Sequence, residues 1–466
     1  MTSERPIPES PAPVALWEEG RQTLRLALPL IVGQLSQMLM SVTDTVMIGR
    51  VGVVELAASS FVNSLIYLPM MFGIGMSMAV SIRVSRARGA REPEAARAAL
   101  RHGLWITGGI GLLTYLAAWG LIPLLDLFRQ TDEVVAVSPP YLLWVAASMI
   151  PAMGAMAVKN HADAMNRPWP AFWITLGSVL FNVLLNWILI FGKLGVPALG
   201  LPGAGVATFL ARTAGLAGLI VWCVRSESLR EWVPYRWFRK PDWKAVANLV
   251  RVGFPASMQL LAEVSAFVFA TLMIGTLGEA ALASHQVALS CAATVFMVPL
   301  GISMALTVRI GETSGAGAYG RMRRILASGW GMGMAYTLFS ATAFVIFGEE
   351  ISGWFVVEPS VIRVAAGLLV VAAAFQVSDV FQIIAAGVLR GLDDVKGPAW
   401  MAFGAYWVLS IPLGWWLAFR AGWGVNGVWW GITAGLTITA VLLGVRAWRK
   451  TGAFEPEPDA PDQPIR

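Results

Sequence analysis

Cysteine, histidine and charge are all scarce in this chain of 466 residues. Its two cysteines, Cys223 and Cys291, both fall inside apolar segments. That excludes a disulfide framework and a cysteine-based metal site, and leaves two inert buried thiols. The three histidines, His102, His161 and His285, have no ligand spacing. Glycines such as Gly301 and Gly311 stand at spacings that suit helix packing or loops, and no phosphate-cradling Walker pattern is present, so ATP is not the expected energy source. Charged residues make up 13% of the chain against 57% hydrophobic, and the mean hydropathy is +0.65. Those values exclude an ordinary soluble globular protein.

What the chain has instead is long apolar runs. About twelve are long enough to cross a bilayer of roughly 30 Å, each needing about 20 helical residues. They lie near 22–49, 56–82, 102–125, 138–160, 170–192, 202–224, 247–275, 281–308, 325–347, 360–387, 399–419 and 424–447. Helices are expected because the polar–apolar alternation of a transmembrane barrel is missing. The fold class is therefore an all-α polytopic membrane protein whose partner is the lipid bilayer. The first run is too long for a secretory leader and reads as a retained span. Polar, proline-rich ends predict disordered tails over 1–21 and 449–466.

Basic residues are placed asymmetrically. Arg83, Arg86, Arg88, Arg91, Arg97 and Arg101 follow the second span, and a second group from Arg225 to Arg251 follows the sixth. Arg309, Arg321, Arg323 and Arg324 follow the eighth. The opposite connections carry few bases, so the positive-inside rule predicts cytoplasmic termini, as an even span count requires. The net charge of +6 is thus a topology signal, and no basic segment interleaves with stacking aromatics as nucleic-acid binding would need.

The chain also repeats itself at an offset of 226 residues (255 − 29). Pro29 matches Pro255, MIGRVG at 47–52 matches MIGTLG at 273–278, and SMAVSIR at 77–83 matches SMALTVR at 303–309. Gly89-Ala90 matches Gly315-Ala316, and Arg97 matches Arg323. An even number of spans per copy gives two parallel six-helix bundles, over 22–224 and 247–448, joined by a basic linker at 225–246. Transporters built this way bind cargo between their halves near mid-membrane.

Three carboxylates interrupt the apolar runs: Asp44 in LMSVTDTVMIG, Glu263 in MQLLAEVSAFVFATLMIG and Asp379 in LLVVAAAFQVSDVFQIIAAG. A charge there costs a few kcal/mol or more unless it meets water, a partner or an ion, so such residues mark ion, proton or substrate pathways. They do not follow the repeat: Asp44 matches Ala270 and Glu263 matches Gln37. Asn182 and Asn186 stand four apart on one face of the fifth span. Their amide oxygens with Asp44 suit a hard cation, although amides also serve as glue between helices. Within the spans Arg212 is the one clear base against three acids, which favours cationic cargo.

At VTDTVMIG with the following LAASS, FNVLLNWILIFG, MQLLAEVSAFVFATLMIGTLG and FQVSDVFQIIAAGVLRGLDD, the chain resembles the multidrug and toxic compound extrusion (MATE) family, in its NorM-like bacterial branch. The resemblance covers nearly all of the chain between the tails. It implies two six-helix bundles forming a V, no enzyme activity, no cofactor, and export of organic cations in exchange for H⁺ or Na⁺ from the inner membrane of a bacterium, by a monomer. On that resemblance Asp44, Asn182 and Asn186 form a polar site of the N-terminal half, and Glu263 and Asp379 an ion site of the C-terminal half. Na⁺ is expected at either set. The family motif often has an aromatic hydroxyl four residues before the second acid, and here that position is Phe375. Loss of that oxygen favours a proton over Na⁺ in the C-terminal half. The rival expectation is a lipid-linked oligosaccharide flippase of the same broad superfamily, which needs bases within its spans.

Overall fold

The computed structural model describes residues 15–237 and 239–453. Among these residues there is no strand, and twelve helices are long and apolar enough to cross a membrane. The N-terminal half holds α1 (Leu16–Gly49), α2 (Val53–Gly89), α3 (Pro93–Leu121, continued by a 3₁₀ turn to Phe128), α4 (Asp132–Ala164), α5 (Pro168–Phe191) and α6 (Leu201–Arg225). The C-terminal half holds α7 (Trp243–Gly275), α8 (Glu279–Gly315), α9 (Met322–Ile346), α10 (Pro359–Gly391), α11 (Lys396–Arg420) and α12 (Gly424–Gly452). The protein is multi-pass, with both described ends on one face.

Helices start where the sequence supplies a helix-compatible first turn. Pro93, Pro168 and Pro359 open α3, α5 and α10, where a missing N–H costs nothing. Asp242 caps α7, accepting from the Lys244 amide at 2.9 Å. Several helices outrun the apolar segments. Arg83, Arg86 and Arg88 are still helical in α2, because hydropathy reports the bilayer while backbone hydrogen bonding continues into water.

Two expected boundaries shift. The tail drawn to residue 21 is too long: residues 16–21 form the first turns of α1, and Glu19 is fully buried there. Likewise α12 runs to Gly452, past the expected start of the second tail at 449. Residues 1–14 and 454–466 lie outside the described residues. The 225–246 linker contains a short helix, Glu227–Arg230, and α7 already begins at Trp243. Arg97 of α3 ties the linker down, donating to the Glu231 carbonyl (2.7 Å) and lying 4.2 Å over the Tyr235 ring.

The halves meet through α1, α2 and α3 on one side and α7, α8, α9 and α10 on the other. Small residues set this seam, and they obey the repeat. A β-carbon on Gly75 would collide with the backbone of Ser257, and one on Gly301 with Ile31. Gly75 and Gly301 are repeat equivalents, as are Ile31 and Ser257. Ser257 also donates to the Phe72 carbonyl at 2.8 Å.

Polar contacts between the halves cluster at the face that carries the described ends. Glu19 of α1 receives Arg309 of α8 and, at 2.8 Å, the Nε of Arg321. Arg309 also donates to Thr23 Oγ1 (2.6 Å) and Gln22 Oε1 (2.7 Å). Arg83 pairs with Asp393 at 2.9 Å, and Glu312 takes Arg88 at 3.4 Å and the Asn166 amide at 2.9 Å. Farthest toward the opposite face is a 3.8 Å contact of Thr294 Oγ1 with Met38 Sδ; beyond it no described hydrogen bond or ion pair joins the halves. The polar ties between the halves are thus concentrated at one face.

Candidate functional site

Polar groups inside the spans collect into two clusters, one per half. In the N-terminal half Asn182 and Asn186 are buried on α5, and both point toward α1 and α6. The Asn186 amide donates to Asp44 Oδ1 at 2.6 Å and to Asn182 Oδ1 at 3.1 Å. Asn182 reaches Thr208 of α6 at 3.5 Å. All three residues singled out in the sequence are thus in one hydrogen-bonded row. The Asn186 Oδ1 has no hydrogen-bond partner among the described residues. A buried amide oxygen left open beside a carboxylate is an acceptor set for a hard cation or a donor-bearing ligand.

Sequence reasoning places neither Arg212 nor Tyr141 in this cluster. Arg212 of α6 lies within electrostatic reach of Asp44 and Tyr141, and is held by Ser148 Oγ at 2.8 Å. Tyr141 is buried on α4, and Asn63 of α2 is within hydrogen-bonding reach of its hydroxyl. Arg212 is visible in the sequence as an isolated base, but its alignment with Asp44 depends on packing between helices far apart in the chain.

In the C-terminal half Asp379 of α10 is buried and sits within electrostatic reach of Glu263 on α7. The pair expected from the sequence does come together. No donor among the described residues hydrogen-bonds the Asp379 carboxyl. Phe375, where the family motif often has a hydroxyl, is packed edge-on against Phe267 and Trp429 at ring distances of 6.1 and 6.0 Å. A hydroxyl nevertheless arrives from another helix. Tyr406 of α11 is fully buried, donates to Gln382 Oε1 at 3.1 Å, and lies within hydrogen-bonding reach of Glu263. It belongs to a π-helical stretch, Gly404–Ser410, just before Pro412. Such bulges re-aim side chains and often mark functional sites, a signal hydropathy does not carry.

Arg390 corrects the count of one intramembrane base. It is buried on α10, donates to Ser303 Oγ at 2.9 Å, and lies within electrostatic reach of Glu263. In the sequence it looks like a loop residue beside Gly391. Besides the Asp379 oxygens, the unpaired polar atoms of these glutamines are donors, the Nε2 atoms of Gln376 and Gln382.

The histidines lie apart from both clusters. Trp429 donates to His285 Nδ1 at 3.1 Å, so the ring proton is on Nε2 and points to Thr271 Oγ1 at 2.8 Å. His285 is a structural tie between α7, α8 and α12. Among the described residues no three His, Cys, Asp or Glu side chains group closely enough to hold a metal.

This arrangement has close relatives. A family model described as MatE matches residues 29–188 and again 255–416, starting at the same 226-residue offset as the repeat. A "Probable multidrug resistance protein NorM" of Rhizobium meliloti is 35% identical over 434 residues, covering 92% of this chain and 93% of that one. "Multidrug resistance protein PmpM" of Pseudomonas aeruginosa is 33% identical, covering 94% and 92%. Among solved structures, the eukaryotic MATE transporter AtDTX14 superposes with a TM-score of 0.83 at 20% identity, covering 94% of this chain and 98% of that one. A MOP superfamily transporter from Pyrococcus furiosus gives 0.84 at 19%, covering 94% and 97%. These relatives are transporters and not enzymes, and the chain belongs to the MatE family of membrane transporters.

Proposed function

We propose that the protein exports organic cations from the bacterial cytoplasm in antiport with H⁺ or Na⁺, as a monomer in the inner membrane with both termini cytoplasmic. The observation that carries this is the pairing of Glu263 with Asp379 inside the membrane, beside a tyrosine that can serve either protonation state. A buried carboxyl and a half-buried one within reach of each other repel when both are ionised, so they share protons as a unit. Tyr406 has one O–H. When Glu263 carries a proton, the phenol donates to Gln382; when Glu263 is ionised, the phenol can turn to it. A cationic cargo and a proton then exclude each other at the same acids, which is all that exchange requires.

The relatives named for multidrug resistance support small-molecule export as the general activity. The basic clusters at 83–101, 225–251 and 309–324 support cytoplasmic termini. On that orientation the face tied together by Glu19, Arg309 and Arg321 is the cytoplasmic one. The open Asn186 oxygen makes Asp44, Asn182 and Asn186 the better Na⁺ position.

Arg212 and Arg390 support a second reading, a lipid-linked oligosaccharide flippase, because each offsets an acid of its cluster. Reconstitution into proteoliposomes with separately imposed pH and Na⁺ gradients decides between them. Export of a fluorescent organic cation that follows one gradient and is blocked by other cations supports antiport. Cation-insensitive transport with competition by anionic amphiphiles overturns it.

A further inference from the structure

On the cytoplasmic face, away from both carboxylate clusters, a cavity of about 610 Å³ opens between the halves. Arg25 of α1, Arg167 and Trp169 at the start of α5, and Arg309, Glu312 and Arg321 from the C-terminal half line it. Three of its charged groups are already satisfied. Arg309 and Arg321 hold Glu19, while Glu312 takes Arg88 and Asn166. Arg25 and Arg167 are not: both are exposed, and neither guanidinium has a hydrogen bond or ion pair among the described residues. Two unpaired planar forks in one cavity match the oxygens of a phosphate group.

The flank of the cavity indicates where that phosphate comes from. Trp169 stacks on Trp173 at 6.4 Å, Trp173 is 60% exposed, and Leu24 and Leu28 of α1 are exposed beside Arg25. Bases at the membrane edge above an apolar surface are the setting of a phospholipid headgroup with its chains alongside. The repeat supplies an internal control. Arg25 matches Arg251, but the turn before α11 stands one residue further along than the offset, so Arg167 falls opposite Asp394, an acid held by Arg446 and Lys450.

We propose that this cavity, at the seam of the two halves, binds the phosphate of an anionic inner-leaflet phospholipid through Arg25 and Arg167 of the N-terminal half, on one side of the molecule only. The choice of leaflet rests on the proposed orientation; the binding itself is read without transport, so failure of the export reading leaves it testable. Thermal unfolding of the purified full-length protein in detergent, with added phosphatidylglycerol, phosphatidylethanolamine of the same chains, or soluble glycerophosphate, is the test. Phosphatidylglycerol is expected to raise the midpoint saturably and the other two not. In Arg25→Gln the half-saturating concentration should rise about tenfold, the loss expected for one charge-assisted bond. Arg25→Gln with Arg167→Gln should abolish the shift, while Arg25→Lys with Arg167→Lys and the control Arg251→Gln keep it. Equal stabilisation by both lipids, or a full response in the double glutamine variant, overturns the proposal. A matching response to glycerophosphate overturns the lipid source in favour of a soluble phosphate.

Discussion

Gly89 and Gly315 pack against each other's helices: a β-carbon on Gly89 would strike the Glu312 carbonyl oxygen, and one on Gly315 the Arg86 carbonyl oxygen. The two are equivalents under the repeat, so the contact lies on the pseudo-twofold axis. Here the backbones of α2 and α8 touch without side chains between them, the use small residues serve between membrane helices. Gly89→Ala or Gly315→Ala should wedge apart the face that carries the described ends, at about 1–3 kcal/mol for overpacking a tight contact. The measurement is labelling of a cysteine placed near Arg86 from that side. Labelling should rise in either alanine variant and rise further in the double one; unchanged labelling in both would remove the contact from the closing of that face.

Glu19 sits behind this contact with two arginines and no exposure. Glu19→Gln leaves Arg309 buried without its counter-charge, and breaking one partner of a buried pair costs about 3–5 kcal/mol. Thermal unfolding in detergent should show the loss. A double variant, Glu19→Gln with Arg309→Met, should recover much of it because the orphaned charge is gone. Equal losses in single and double variants would mean that Arg309 depends on Thr23 and Gln22 instead.

Much of this architecture is legible in the amino-acid sequence. The twelve runs, the 226-residue offset, and the acids at 44, 263 and 379 follow from hydropathy and pattern, because lipid allows so few solutions for the backbone. The Asp44 row is legible too, since Asn182 and Asn186 share a helix face. Other features depend on which helices pack together. Tyr406 reaches Glu263 through a π-helical stretch, and Arg390 turns inward from what reads as a loop. Glu19 reads as part of a polar tail, although its partners lie 290 and 302 residues away. One-dimensional patterns cannot register such pairs.

Asp394, between α10 and α11, carries a pH prediction. Burial pushes its carboxyl up, but hydrogen bonds from Arg446 (2.6 and 3.0 Å) and Lys450 (3.0 Å) outweigh that and hold it below the usual range. A group depressed in the folded state stabilises above its unfolded value of about 4, and that contribution is lost as pH falls through the folded value. Asp394→Asn should therefore lower the unfolding midpoint by a constant amount above about pH 5, with the gap to wild type closing below about pH 4. A gap that is the same at every pH would show that the side chain packs without its charge mattering.

In the N-terminal cluster Asp44 and Asn186 share one hydrogen bond of 2.6 Å, so their roles should not add. For contacting polar groups the interaction term is about 0.5–3 kcal/mol. Asp44→Asn and Asn186→Ala should each reduce export, and the double variant should be little worse than the poorer single one. Additive losses would assign the two residues to separate tasks.

Tyr406→Phe tests the proton chemistry most directly. The ring is fully buried and the substitution keeps its packing, so the folded protein should persist; only the hydroxyl between Gln382 and Glu263 is lost. If that hydroxyl serves the ionised Glu263, its removal costs a hydrogen bond to a charged group, about 1.5–3 kcal/mol, and makes proton release harder. Export driven by a pH gradient should then slow about tenfold or more. Glu263→Gln, which holds no exchangeable proton, should abolish gradient-driven export. A Tyr406→Phe variant with wild-type rate, beside an inactive Glu263→Gln, would keep the acid in the mechanism and remove the tyrosine from it.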